Sequence, residues 1–397
     1  MHFGFYIDEW RDGGVPAFIN RAITCVSQSS DTVTLFLARP HPKREPAARD
    51  LYHRLKERLG ERCVSLDLLA YPPEWRQAHL VESILRSKVD CLFVSQFLPV
   101  NEALRALSPH IPLVGIAHND ADYYYREYDA AKSFLHGEIT VSETITRKCR
   151  NLLPPDQQDR VHYIPYGVNT GNLPLQTPSS CFHVIYCARL SPKQKRALDL
   201  PPIWKSFLQQ GGKGQLSIIG VGSAMDELKH SFAEEIAGGF VKFLGQLEEK
   251  EVYRAMSSGD VILNVSNYEG LPQTVLEGAS LGLWPVLSKI ESGHQEITQR
   301  IGFGTLCPVG ANAIFTRELL ILASQLPDLR AKRSAIREQT LKCYSLQSCI
   351  EQYRQLAISL ARGTSNKLPN LPTPYQPSFI ERLQRLVLRA KYERHMR

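Results

Sequence analysis

The 397-residue sequence has no uninterrupted apolar run near the roughly 18 residues that a membrane-spanning helix requires, and no basic stretch followed by an apolar one at its start. Both absences lead to the expectation of a cytoplasmic protein. Its nine cysteines contain no Cys-x2-Cys pair. Cys187 in VIYCARL and Cys91 in DCLFV sit in apolar runs, so they read as buried thiols in a reducing compartment, and no metal site is expected. A net excess of positive charge is concentrated in one place. The net charge is +7, and residues 379–397 hold six Arg or Lys against two Glu, more than half of it. The nearly balanced remainder argues against a nucleic-acid groove along the protein.

What is present is a globular composition, 43% hydrophobic and 22% charged, in a chain too long for one compact core. Residues 1–175 alternate short apolar runs (2–7, 32–37, 91–94, 112–117, 138–142) with helical patterns (16–28, 45–59, 74–87, 122–135), the grammar of βα units on a parallel sheet. HYIPYGVNT at 162–170 reads as a last strand and exit, and TPSS at 177–180 as a linker. Residues 181–345 repeat the pattern, with strands at 183–189, 215–220, 240–245, 261–265 and 284–288 and helices between them. A helix at 346–362 is expected to pack back on the domains. It is followed by a Pro-rich linker at 363–378 and a basic amphipathic helix at 379–397, with Phe379, Leu383, Leu386, Val387 and Ala390 on one face. The fold expected is therefore α/β: two Rossmann-like βαβ domains facing across a cleft, with ligands at the strand ends.

Several residues at those ends can carry chemistry. Glu269 and Glu277 stand eight positions apart in VSNYEGLPQTVLEGA, one in a loop and one inside the helix that follows. Such a pair suits a ligand with hydroxyls at both ends and an anionic middle. Arg189 ends HVIYCAR and Lys195 follows in RLSPKQKR, with Lys193 and Arg196 near, so two cations can converge on one anion; the segment also reads as an exposed basic turn. Gly220 and Gly222 mark a strand-to-helix turn that lacks the third glycine of a dinucleotide fingerprint but allows close approach of a nucleoside. Gly13 and Gly14 precede a helix with an early Pro16, which makes either an anion-accepting backbone or a simple tight turn. His118 follows the strand PLVGIA, where a single histidine serves either structure or function.

Together these motifs resemble the retaining, metal-independent glycosyltransferases of the GT-B fold, specifically glycosyltransferase family 4 (glycosyl transferases group 1), over residues 2–345 and most densely over 183–296. The resemblance implies that Arg189 and Lys195 grip a donor diphosphate, that Glu269 contacts the donor sugar and that Glu277 holds the ribose hydroxyls. It places the backbone of Gly270, Leu271, Pro272 and Gln273 along sugar and phosphate, with GGVP as the N-terminal glycine loop and His118 near sugar and acceptor. Departures are Ala188 before the strand-end Arg, Gly278 and Ser280 after the second Glu, and SGHQEI at 292–297, which leaves Glu296 without a firm role. The implied activity is hexosyl transfer from a nucleoside-diphosphate sugar, a substrate rather than a cofactor, to a glycan or lipid-linked acceptor in cell-surface polysaccharide or glycolipid synthesis. The basic tail would then offer peripheral contact with the inner face of a membrane, or dock on protein. A nucleotide-sugar hydrolase or epimerase and a non-catalytic glycan-binding protein are the alternatives on this fold.

Overall fold

The computed structural model describes residues 1–7, 13–26, 30–38, 46–66, 73–95, 101–170, 173 and 180–363. The tail at 379–397, the linker beyond Gly363 and most of the 171–179 junction lie outside the described residues. In the first half, β1 (His2–Ile7), β2 (Thr32–Ala38), β3 (Cys63–Leu66), β4 (Cys91–Val94), β5 (Leu113–Ala117), β6 (Gly137–Thr140) and β7 (Val161–Tyr163) form one sheet in the order β3-β2-β1-β4-β5-β6-β7. In the second, β8 (Phe182–Cys187), β9 (Gly214–Ile219), β10 (Val241–Gly245), β11 (Val261–Asn264), β12 (Trp284–Ser288) and β13 (Thr305–Cys307) run β10-β9-β8-β11-β12-β13. Every neighbouring pair is parallel.

The reason lies in the strand sequences. CLFV, LVGIA and FHVIYC are buried at every position, as strands covered by helices on both faces must be. The outer strand β10 instead exposes Lys242 and Leu244, as an edge does. In both sheets the strand order reverses beside the first strand of the unit, between β1 and β4 and between β8 and β11. That reversal opens a crevice at the carboxyl ends of the strands. Gly13, Arg189 and Glu269 follow β1, β8 and β11 and so stand on the two crevices.

The chain crosses between the units twice, and the crossings touch. Val168 N–H donates to the Tyr344 carbonyl (2.8 Å) and Leu346 N–H to the Val168 carbonyl (3.1 Å), which makes a parallel bridge between Val168 and Ser345. The Leu346–Gly363 helix then returns to the first sheet. It buries Cys349, Ile350, Tyr353, Leu356 and Ala357, the one-sided spacing of a packed helix. The Tyr353 ring lies 5.1 Å from Phe93 and 5.6 Å from Phe18. The apolar core of the first unit also runs without a break into Leu271, Val275, Leu276 and Ala279 of the second.

Tyr353 separates packing from hydrogen bonding, because its hydroxyl is buried without a partner among the described residues. Tyr353→Ala is expected to lower the unfolding free energy by about 3–5 kcal/mol, as for other large aromatics removed from a core. Tyr353→Phe removes an unsatisfied polar group and is expected to be neutral or stabilising by about 1 kcal/mol. Urea unfolding of both variants checks the pair of values.

Candidate active site

Two loops of the second unit meet at the ends of β8 and β11. Arg189 is exposed and makes no ion pair among the described residues, while the turn carrying Gly220 and Gly222 packs beside it, with Leu190 N–H donating to the Val221 carbonyl (2.9 Å). Across the cleft, Tyr124 of the Asp122–Ala131 helix comes within electrostatic reach of Arg189. Burial pushes its phenol up to about 12, and the Arg189 charge pulls the other way. Arg196 faces away, paired with Asp199 at 2.7 Å.

Lys195 does not stand with Arg189 over an empty space. Its ammonium donates to Glu269 Oε1 at 2.5 Å, where Ser266 Oγ (2.7 Å) and Asn264 Nδ2 (3.4 Å) also donate. Burial raises the Glu269 carboxyl, but the Lys195 charge and the hydrogen bonds from Lys195 and Ser266 outweigh it, so the net shift is below the usual carboxylate range. Glu269 is a charged, buried acceptor.

Glu277 has a different environment. It projects from the Gln273–Ser280 helix towards the first unit, where the Gly14–Val26 helix presents Arg21. Arg21 Nη1 donates to Glu277 Oε1 and to Tyr253 Oη (3.0 Å), Nη2 donates to Gln273 Oε1, and Glu249 lies 3.5 Å away. Gln273 Nε2 in turn donates to the Gly14 carbonyl at 2.5 Å. Burial pushes the Glu277 carboxyl above its ordinary value, with Arg21 pulling it back. The glycine loop, Gln273 and Glu277 thus form one cross-cleft assembly. Pro272 is less available than its position implies, because its carbonyl already accepts from Val275 (3.1 Å) and Leu276 (3.3 Å) at the helix start.

His118 meets the second unit through its backbone. A Cβ on Gly270 would fall 2.1 Å from the His118 carbonyl oxygen, so only glycine permits this approach. The His118 ring is stacked 6.0 Å from Tyr166, its Nδ1 shares a hydrogen bond with the Tyr166 hydroxyl, and its Nε2 is buried without a partner among the described residues. Burial lowers its pKa to about 3, so the imidazole is neutral.

Glu296 acquires a role here. It accepts from the Glu143 N–H (2.8 Å), at the start of the Glu143–Arg150 helix, and from the Tyr163 hydroxyl, so it clamps the two units together. An Asp-x-Asp does follow β5, at Asp120 and Asp122, but Asp120 is paired with Lys148 (2.6 Å) and accepts from the Tyr125 hydroxyl (2.5 Å). Among the described residues, no three His, Cys, Asp or Glu side chains are grouped to hold a metal. Nor is any helix among them long and apolar enough to cross a membrane. Arg21, Asn264, Ser266, Tyr166 and His294 are site residues that motif spacing did not single out.

Two outcomes test this geometry. Arg21→Met removes the cation between the units, and the cleft is expected to open, seen as a larger radius of gyration in small-angle scattering; an unchanged radius would contradict the assembly. The second outcome concerns Glu269, whose folded pKa is held below its unfolded value of about 4.3. Its contribution is fully present above that value and lost as pH falls through the folded pKa. Glu269→Gln is therefore expected to lower the melting temperature at pH 7, and the deficit relative to wild type shrinks as the pH drops below about 4.

Comparison with known proteins bears on the fold and on the second unit. Residues 181–325 match the family model described as Glycosyl transferases group 1. The amylovoran biosynthesis glycosyltransferase AmsK of Erwinia amylovora is 28% identical over 189 residues, which span 45% of this chain and 44% of AmsK. Among solved structures, TarM of S. aureus, in a complex with Fondaparinux, alpha-GlcNAc-glycerol and UDP, superposes with a TM-score of 0.70 at 10% identity, covering 90% of this chain and 99% of that one. HepE of Anabaena with UDP-glucose gives a TM-score of 0.70 at 16% identity, covering 91% and 100%. The lipopolysaccharide outer core galactosyltransferase WaaB gives 0.65 at 18%, covering 90% and 99%. The fold is thus that of the GT-B neighbours, two parallel-sheet Rossmann-like domains, and the match to the glycosyl transferases group 1 model covers residues 181–325 of the second.

Proposed function

We propose that this protein transfers a sugar from a nucleoside diphosphate to an acceptor hydroxyl with retention at the anomeric carbon. One observation carries the reading. The Gln273–Ser280 helix has a carboxylate on either side of its first turn, each buried and each holding a cation, and the Gly13–Gly14 loop faces the same turn. A nucleotide-sugar has the matching pattern: hydroxyls on the sugar, a diphosphate of about two negative charges, and hydroxyls on the ribose.

In this reading the diphosphate draws Lys195 away from Glu269, because a double charge outcompetes a single carboxylate at similar distance. Lys195 and Arg189 then neutralise the leaving group, and Glu269 is released to accept from the sugar. Glu277 stays beside Arg21 and receives the ribose. The bond from the anomeric carbon to the phosphate oxygen breaks as the acceptor oxygen bonds on the same face, and the acceptor proton passes to the departing diphosphate. Acceleration comes from positioning and from charge stabilisation at the leaving oxygen. UDP in the TarM structure and UDP-glucose in the HepE structure support a uridine nucleotide as the first donor to try. AmsK and WaaB, by their names, support a glycan acceptor at the cell surface.

Lys195→Ala and Glu269→Ala are each expected to lower turnover by about 10²- to 10³-fold while far-ultraviolet circular dichroism is unchanged. Wild-type rates in both would overturn the reading. The anomeric configuration of the product, read by proton NMR, tests retention. Sugar released from the donor without an acceptor would favour a hydrolase instead.

A further inference from the structure

His294 lies in the Glu291–Gln295 turn after β12, in the segment SGHQEI, and has no part in the donor scheme above. It is fully buried. Its Nδ1 is 2.8 Å from the Ser288 carbonyl oxygen. A carbonyl only accepts, so Nδ1 carries the hydrogen of the neutral ring, and Nε2 is left as a bare acceptor. Burial holds the ring neutral, with a pKa near 4, which agrees with that tautomer. Nε2 is buried and has no hydrogen-bond partner among the described residues. A buried acceptor left unmade costs about 1–3 kcal/mol, and such an atom beside a ligand site calls for a donor.

The ring is linked to Glu269 through Ser288 and Asn264. Ser288, which holds Nδ1, also bonds the Asn264 carbonyl (3.5 Å), and Asn264 Nδ2 bonds Glu269 (3.4 Å). The charges of Glu269 and Lys195 both act on His294. The turn is fixed by Gly293 at φ +76, where a Cβ would fall 2.6 Å from the Gly270 carbonyl oxygen and 2.8 Å from Pro272 Cδ. His294 is therefore seated against the loop that carries the first carboxylate. With Nδ1 held behind the ring by β12, Nε2 points away from that strand.

We propose that His294 Nε2 accepts a hydrogen bond from a hydroxyl of the donor sugar, next to the hydroxyl received by Glu269. Two adjacent acceptors require two hydroxyl hydrogens. The site therefore selects a hexose with neighbouring free hydroxyls on the ring edge that faces this loop. The inference rests on the donor reading given above, to which it adds a specificity-determining residue.

The test compares nucleotide with nucleotide-sugar binding by calorimetry, for wild type, His294→Phe and His294→Gln. The probes are UDP with UDP-glucose, UDP-galactose and UDP-N-acetylglucosamine, GDP with GDP-mannose, and ADP with ADP-glucose. In His294→Phe, affinity for the bare nucleoside diphosphate is expected to stay within about twofold, and the tighter binding of the preferred sugar nucleotide over it to fall about tenfold, the worth of one hydrogen bond. His294→Gln retains an acceptor oxygen and is expected to recover most of that preference. Unchanged sugar preference in His294→Phe overturns the inference and leaves the donor reading intact. Equal loss of nucleotide and nucleotide-sugar binding in both variants, with a lowered melting temperature, shows a purely structural histidine and also overturns it. A wild-type protein that binds no probe removes the donor reading, and the inference with it.

Discussion

A buried guanidinium ties the two halves of this protein together at the cleft. Arg21 belongs to the first unit by sequence, yet its named partners Tyr253, Gln273 and Glu277 lie 232 to 256 residues away. Burying a charge pair is costly, and further hydrogen bonds offset that cost. Here Gln273 and Tyr253 supply two, the Arg21 Nε is buried with no partner among the described residues, and Gln273 passes the connection to the Gly14 carbonyl. The Gln273–Ser280 helix is thereby held against the Gly14–Val26 helix in one rotation, which fixes the direction in which Glu277 points. Other cross-unit contacts, among them Glu296 on the Glu143–Arg150 helix and the Val168–Ser345 bridge, join the units elsewhere along the interface.

Much of this was legible in the sequence because parallel sheets covered on both faces leave an unambiguous signal. Runs such as CLFV and FHVIYC have no polar face to confuse the reading. β3 (CVSL) was missed because four residues with a serine among them do not exceed the background of helix-flanking apolar residues, and β13 (TLC) is shorter still. The Asn101–Leu107 and Glu143–Arg150 helices were missed for a related reason. Seven or eight residues make barely two turns, too few for a period of 3.6 to show. Glycines at strand ends and the glutamate pair mark candidate positions in the sequence, because their spacing is local.

Pairing across the cleft was not legible. Nothing near Lys195 in sequence marks Glu269 as its partner, and nothing near Glu277 marks Arg21. The one available hint was an arginine among buried neighbours in FINRAITCV, on a helix otherwise without charge. A cation on a buried face requires an anion opposite, but sequence alone does not say which one. Glu296 illustrates the same limit. Its place in a looser glycine-rich segment left its role open, and only the approach of the Glu143–Arg150 helix makes it a clamp between the units.

The two carboxylates differ because their cations differ in freedom. Lys195 has a flexible stem, one carboxylate partner and a position at the end of an exposed loop, so it can exchange Glu269 for another anion with little rearrangement. Arg21 is planar, buried and tied to three side chains at once, so any exchange at Glu277 would break the contact between the units. On the proposed reading, an incoming diphosphate therefore changes the charge balance at Glu269 and leaves that at Glu277 as it was. Glu269 gains a full carboxylate for hydroxyls at the moment the donor is bound. Glu277 offers only the acceptor capacity that Arg21 leaves over, which suits the neutral ribose better than a group that must respond to the reaction.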